Sequence, residues 1–194
     1  CDPAFNFVYE ANIRYLHHLG EVTYFSPLAD TSLPDAGFVY LPGGYPELYL
    51  AALSANRQML QSIRRYVESG GKLLAECGGM MYLCDEIRDK NGDVYPMAGV
   101  LHQSATMENM KLRLGYRTLL YNETRLKGHE FHYSRLVEQQ NPLPSCAVAY
   151  TAKGVETDTP LYHYKNVWAG YTHLYWADPV GNEWFTKFVI DGNT

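Results

Sequence analysis

The chain has 194 residues, of which 46% are hydrophobic and 19% charged, with a formal net charge of −5. That size and balance lead to one globular domain spanning residues 1–194, with a core of its own, as the expectation. An acidic chain with no basic stripe excludes a nucleic-acid binder, and no apolar stretch reaches the roughly 20 residues of a membrane-crossing helix.

A signal-peptide pattern is missing at the N-terminus, so a cytoplasmic location is expected. The four cysteines, Cys1, Cys77, Cys84 and Cys146, are spaced without metal-ligand pairs, which argues against a zinc site and a disulfide framework. Cys84, seven residues after Cys77, is read as core packing. The start at Cys1, with no methionine, suggests a C-terminal piece of a longer protein.

In chain order, the apolar spacing of Phe7, Val8, Ile13, Tyr15, Leu16 and Leu19 predicts a helix over 6–19, ended by Gly20. Residues 21–25 read as a short strand, and residues 37–41 as a buried one. The turn Pro42-Gly43-Gly44-Tyr45-Pro46-Glu47 then feeds one long helical pattern over 47–68, closed by Gly70-Gly71. A further strand ends at Cys77 and passes into a second helix. Strand, helix, strand, helix implies parallel pairing, with the chemistry gathered beyond the carboxyl ends of the strands. In the second half, residues 112–121, 125–133, 146–151 and 167–171 read as short strands, and their turns of Asn, Gly and Pro predict antiparallel additions. Residues 184–190 read as a short helix with Trp184, Phe185, Phe188 and Val189 inward.

The segment Lys72-Leu73-Leu74-Ala75-Glu76-Cys77-Gly78-Gly79-Met80-Met81-Tyr82-Leu83 carries the chemistry. A thiol at a strand-to-helix turn is pushed outward toward solvent, beside unpaired N–H groups that favour a thiolate and can hold an oxyanion. The plain alternative, a small core residue at a strand end, loses ground because Gly78 and Gly79 leave an approaching substrate unobstructed. The turn at Gly43-Gly44 lacks the P-loop pattern and is read instead as an oxyanion donor, through Gly44 with Gly78.

A cysteine nucleophile needs a base. His17 and His18 belong to the first helix and to solvent, and His102 and His163 have no partner that sequence identifies. His173, in Tyr171-Thr172-His173, follows a strand and is the preferred base. Gly128-His129-Glu130-Phe131-His132-Tyr133 sets Glu130 and His132 on one strand face. Two ligands do not close a metal site, so this reads as a polar-faced strand lining a cleft.

Leu41-Pro42-Gly43-Gly44-Tyr45-Pro46-Glu47, Ala75-Glu76-Cys77-Gly78-Gly79-Met80-Met81-Tyr82-Leu83, Tyr95-Pro96-Met97-Ala98-Gly99-Val100, Leu114-Gly115-Tyr116-Arg117, Gly128-His129-Glu130-Phe131-His132-Tyr133-Ser134 and Tyr171-Thr172-His173 together resemble, in the same order, the class I glutamine amidotransferase domain of cobyrinic acid a,c-diamide synthases. The resemblance implies an α/β, flavodoxin-like doubly wound fold with a mostly parallel sheet. It also implies that Cys77 forms a γ-glutamyl thioester with glutamine while His173 acts as base and acid. Ammonia would pass to an N-terminal ATP-dependent synthase domain of the same polypeptide, where ATP and Mg act and the corrinoid acceptor is bound. No cofactor or metal is expected in this domain, and a homodimer stays open.

Two positions depart from the class I pattern. Tyr175 stands where many relatives have a glutamate two residues after the histidine, and Met81 where a glutamine usually follows the nucleophile by four. The third triad member is therefore unassigned, with Glu47, Glu130 and Asp178 as guesses. Alternatives are a related nickel-sirohydrochlorin a,c-diamide synthase, a cysteine hydrolase of the same fold without amidotransfer, and a non-catalytic docking module.

Overall fold

The computed structural model describes residues 2–191; Cys1 lies outside the described residues. The elements run α1 (Glu10–Leu19), β1 (Phe38–Leu41), a 3-10 turn (Pro46–Leu48), α2 (Leu50–Ala55), α3 (Arg57–Glu68), β2 (Lys72–Glu76) and α4 (Gly78–Leu83). Then come β3 (Glu86–Arg88), β4 (Val94–Pro96), β5 (Ser104–Thr106), β6 (Arg113–Tyr121), β7 (Thr124–His132), β8 (Arg135–Leu136), β9 (Val148–Thr151), β10 (Glu156–Thr157), β11 (Leu161–Tyr164), β12 (Val167–Gly170), β13 (His173–Leu174) and α5 (Pro179–Thr186), the last followed by a wider π turn over Lys187–Asp191.

The described residues form three sheets. The first has the order β1-β2-β12-β11, with β1, β2 and β12 parallel and β11 antiparallel at the edge. The near-continuous apolar runs Val39–Leu41 and Leu73–Ala75 fit a sheet covered on both faces. On one side pack α2, α3 and α4 through Leu53, Met59, Ile63, Val67 and Met80; on the other pack Trp168, Trp176, Trp184 and Phe185. The second sheet, β10-β9-β6-β7-β13, is antiparallel, and the third, β4-β3-β5-β8, is mixed. Parallel pairing in the first half and antiparallel additions in the second are as expected from sequence.

Four boundaries differ from the sequence reading. The first helix starts at Glu10, because Asp2 ties down the preceding residues: its carboxylate accepts from the Ala4 and Phe5 N–H groups and from Ser26 and Leu28, while Phe7 bridges to Gly43. Residues 21–25 form no strand and instead line, with β1, a cavity of about 550 Å³. The long helix expected over 47–68 is three pieces. Asn56 breaks it by capping α3, its Oδ1 accepting the Met59 N–H while its Nδ2 donates to the Pro27 and Asp30 carbonyls. The last helix begins five residues early, at Pro179, where Asp178 caps it by accepting from Gly181.

Candidate active site

The sulfur sits at a strained elbow. Cys77 has φ 49° and ψ −108°, between β2 and α4, a conformation an L residue adopts only when its surroundings hold it there. Its N–H donates to the Gly170 carbonyl at 2.8 Å, fixing the end of β2 to β12. The Gly78 N–H faces the sulfur.

The glycines around it are required by close approach. A Cβ on Gly79 would lie 2.2 Å from the Leu41 carbonyl oxygen, and one on Gly78 would lie 2.7 Å from Pro46 Cδ and 3.2 Å from the Gly44 nitrogen. Gly44, at φ 155°, is pressed against the Ala4 carbonyl. The two glycine-rich turns are thus in contact, as the oxyanion reading requires of Gly44 and Gly78.

One expectation is overturned. Cys77 does not point out into solvent: the residue is 4% exposed, and it lines a narrow cavity of about 20 Å³ with Gly44, Tyr45, Glu47, Met81, Phe131, His132, Tyr133 and Ser134. That space holds about one water molecule. The strand β7 closes over the elbow and its Phe131 carbonyl stands 3.7 Å from Sγ. Burial pushes the thiol up to about 12, and Glu47, Glu76 and Glu130 add to the rise.

His173 follows β12, the strand beside β2, but itself belongs to the second sheet. It opens β13, which pairs with β7 so that His173 faces His129, and the next residue, Leu174, donates its N–H to Glu76 Oε1 at 3.0 Å. Glu76 immediately precedes Cys77. The Gly43-Gly44 turn lies between the two functional side chains: Gly43 touches the His173 ring and Gly44 touches Gly78. No hydrogen bond joins Sγ to the imidazole among the described residues. Burial, then the imidazoles of His129 and His132, lower His173 to about 3, so the resting pair is neutral thiol and neutral imidazole.

None of the guessed carboxylates orients this ring. Asp178 caps α5 and meets Lys127 at 3.4 Å, Glu130 binds His132, Arg117 and Thr159, and Glu47 lines the Cys77 cavity. His173 Nδ1 has no hydrogen-bond partner among the described residues. Packing holds the ring instead, between Phe7 at 4.4 Å and the His129 ring at 5.1 Å.

Behind it, Asn12 of α1 donates to the Leu174 carbonyl at 2.7 Å and accepts from the Trp176 N–H at 3.0 Å. The sequence reading missed Phe7, Asn12, Gly43, Glu76 and His129. An asparagine on the apolar helical face marked by Val8, Leu16 and Leu19 was the available signal for Asn12.

The other histidines lie elsewhere. His17 and His18 are exposed at the end of α1, His102 meets Asp85 at 3.3 Å, and His163 stacks on Trp168. Cys84 is fully buried with Sγ toward the Met80 carbonyl, as core packing requires.

Residues 1–180 match the family of CobB/CobQ-like glutamine amidotransferase domains. The chain belongs to that family. This amidotransferase is 39% identical over 180 residues to the hydrogenobyrinate a,c-diamide synthase of Pseudomonas aeruginosa and 39% identical over 183 residues to the cobyrinate a,c-diamide synthase of Fusobacterium nucleatum. In both cases 90% of this chain is covered but only 40% of the relative's length. The fold of the amidotransferase is shared with a PurLQS structure from Thermotoga maritima, at a TM-score of 0.56 and 16% identity, covering 93% of this chain and 89% of that one. A glutamine amidotransferase crystal structure aligns with a TM-score of 0.51 at 16% identity, covering 79% of each chain. No helix among the described residues is long and apolar enough to cross a membrane.

Proposed function

We propose that this chain is the glutaminase portion of an a,c-diamide synthase acting on cobyrinate or hydrogenobyrinate. The Cys77 sulfur attacks the side-chain amide carbon of glutamine as its proton passes to His173, and the N–H groups of Gly44 and Gly78 receive the oxyanion. The C–N bond then breaks, the imidazolium returns its proton to the departing ammonia, and a γ-glutamyl thioester remains. Water adds to that thioester with His173 as base, freeing glutamate and the thiol. Ammonia is consumed by a synthase portion that binds ATP, Mg and the corrinoid acceptor, in the part of the relatives that this chain does not span.

The observation that carries the reading is the strained Cys77 elbow, packed against the Gly43-Gly44 turn, with His173 on that turn's far side. The narrow cavity and the neutral pair describe a resting state. Glutamine needs β7 and the Tyr45 turn to move apart, and the synthase portion is the expected trigger. Incubating the full-length protein with a diazoketone analogue of glutamine and mapping the adduct tests the nucleophile. Label on Cys77 that disappears in Cys77→Ala supports it; label that persists removes it.

A further inference from the structure

Strand β7 lays His132 into the wall of the Cys77 cavity, with the residue 6% exposed and both ring nitrogens engaged. Nδ1 is 2.8 Å from the Ser134 carbonyl, and Nε2 is 2.8 Å from Glu130 Oε1. A peptide carbonyl only accepts hydrogen bonds. An ionised carboxylate also only accepts, and Glu130 is held ionised by Arg117 Nε at 2.5 Å and Thr159 Oγ1 at 2.9 Å, both on Oε2. Both nitrogens of His132 thus face acceptors, an arrangement that a ring with two N–H donors satisfies.

With such a ring, the cluster of Arg117, Glu130 and His132 holds one net positive charge, and of the three only His132 lies on the cavity wall. Its surroundings do not cancel it. Arg113, opposite His132 in the β6–β7 register, is taken up by Asp158. Tyr171 stacks flat on the ring at 3.7 Å. Glu47, also on the cavity, is raised toward its neutral form by burial.

We propose that His132 is a fixed imidazolium, held by Glu130 and the Ser134 carbonyl, whose charge stabilises the thiolate of Cys77 as it attacks glutamine. This deepens the glutaminase reading and rests on it. A thiol raised chiefly by burial needs a nearby cation for its negative form to be reached. Burial first, then the imidazoles of His129 and His132, disfavour a second proton on the nearby His173, so that ring stays neutral at rest. His132 is thus a positioning residue that acts through Cys77.

Two measurements test this without glutamine turnover, so failure of the glutaminase reading shows separately, as absence of glutamate release in wild type. The first is the nitrogen NMR of the His132 ring in the wild-type protein at pH 8. Two protonated nitrogens are expected, and one bare nitrogen overturns the proposal.

The second is the pH profile of iodoacetamide alkylation, read at the Cys77 peptide by mass spectrometry. His132→Gln, and independently Glu130→Gln, which keeps the ring but lets it lose a proton, are expected to slow alkylation at pH 8 about ten-fold by raising the thiol about one pH unit. An unchanged profile in a folded variant overturns the role. If both variants unfold, the wild-type ring spectrum decides.

Discussion

Gly43 stands so close to the ring of His173 that a Cβ built on it would lie 2.1 Å from Cε1 and 2.9 Å from Nδ1. The glycine is thus part of what fixes the imidazole, in a position where no carboxylate does so among the described residues. Phe7 and His129 complete the cradle, and the Phe7 N–H holds the glycine by donating to its carbonyl at 3.0 Å.

Gly43→Ala is therefore expected to displace the ring while the fold persists. Overpacking of this kind costs about 1–3 kcal/mol, and a displacement of the base by about an ångström costs about a hundred-fold in rate. Glutamate release by the full-length variant, set beside its urea midpoint, reads the two effects. Near-normal release would mean that the position of His173 does not matter.

Glu76 makes stability depend on pH in an unusual direction. Burial raises its carboxyl from 4.5 to about 7, against the hydrogen bonds from Tyr40, at 2.5 Å, and Leu174. Because the folded value lies above the unfolded one, the native state holds this proton more tightly. The group's contribution is full below about 4.5 and is lost as pH rises through about 7, a change of about 3 kcal/mol. His173 opposes it: lowered to about 3, it contributes fully above 6.5, and that contribution is lost as pH falls toward 3. Glu76→Gln keeps an acceptor for the Leu174 N–H but carries no charge. Relative to wild type, its denaturant stability is expected to rise between pH 5 and pH 8 by that amount, and parallel curves would contradict the assignment.

Asn12 ties α1 to the segment that presents His173. Asn12→Ala leaves the buried Leu174 carbonyl and Trp176 N–H without their partner, each costing about 1–3 kcal/mol. A loss of about 2–4 kcal/mol is expected by urea unfolding, accompanied by a fall in glutamate release at a temperature where the variant is folded. A stability within 0.5 kcal/mol of wild type, a roughly neutral surface effect, would mean that these bonds are replaced by water.

The parts of the fold legible in the sequence were those with local signals. The apolar runs ending at Leu41 and Glu76, each followed by glycines, announced parallel strands with functional turns at their carboxyl ends. The turn residues between the short strands of the second half, such as Asn122 between β6 and β7, announced antiparallel additions. Residues 21–25 carry a strand pattern without a ladder, because pairing depends on a neighbour in space that no local window reveals. The helix pattern over 47–68 hid its break because Asn56 gains more from capping α3 and bonding the Pro27 and Asp30 carbonyls than from continuing the helix.

In the site, Cys77 and the two glycine turns could be read from spacing. The burial of the thiol could not, because it is β7, distant in sequence, that covers it. The packing of His173 among Phe7, Gly43 and His129 was hidden for the same reason. The doubly bonded His132 was visible only as a strand-face pair with Glu130, since Arg117 and Thr159 join it through other strands.

The central claim is that Cys77 carries the glutamyl group. Full-length protein mixed with glutamine, quenched in acid within one turnover and digested, should yield a Cys77 peptide heavier by one glutamyl group. That species should accumulate in His173→Gln only if attack still outpaces hydrolysis, and should vanish in Cys77→Ser. Glutamate release at the normal rate with no acylated Cys77 peptide at any quench time would contradict the account.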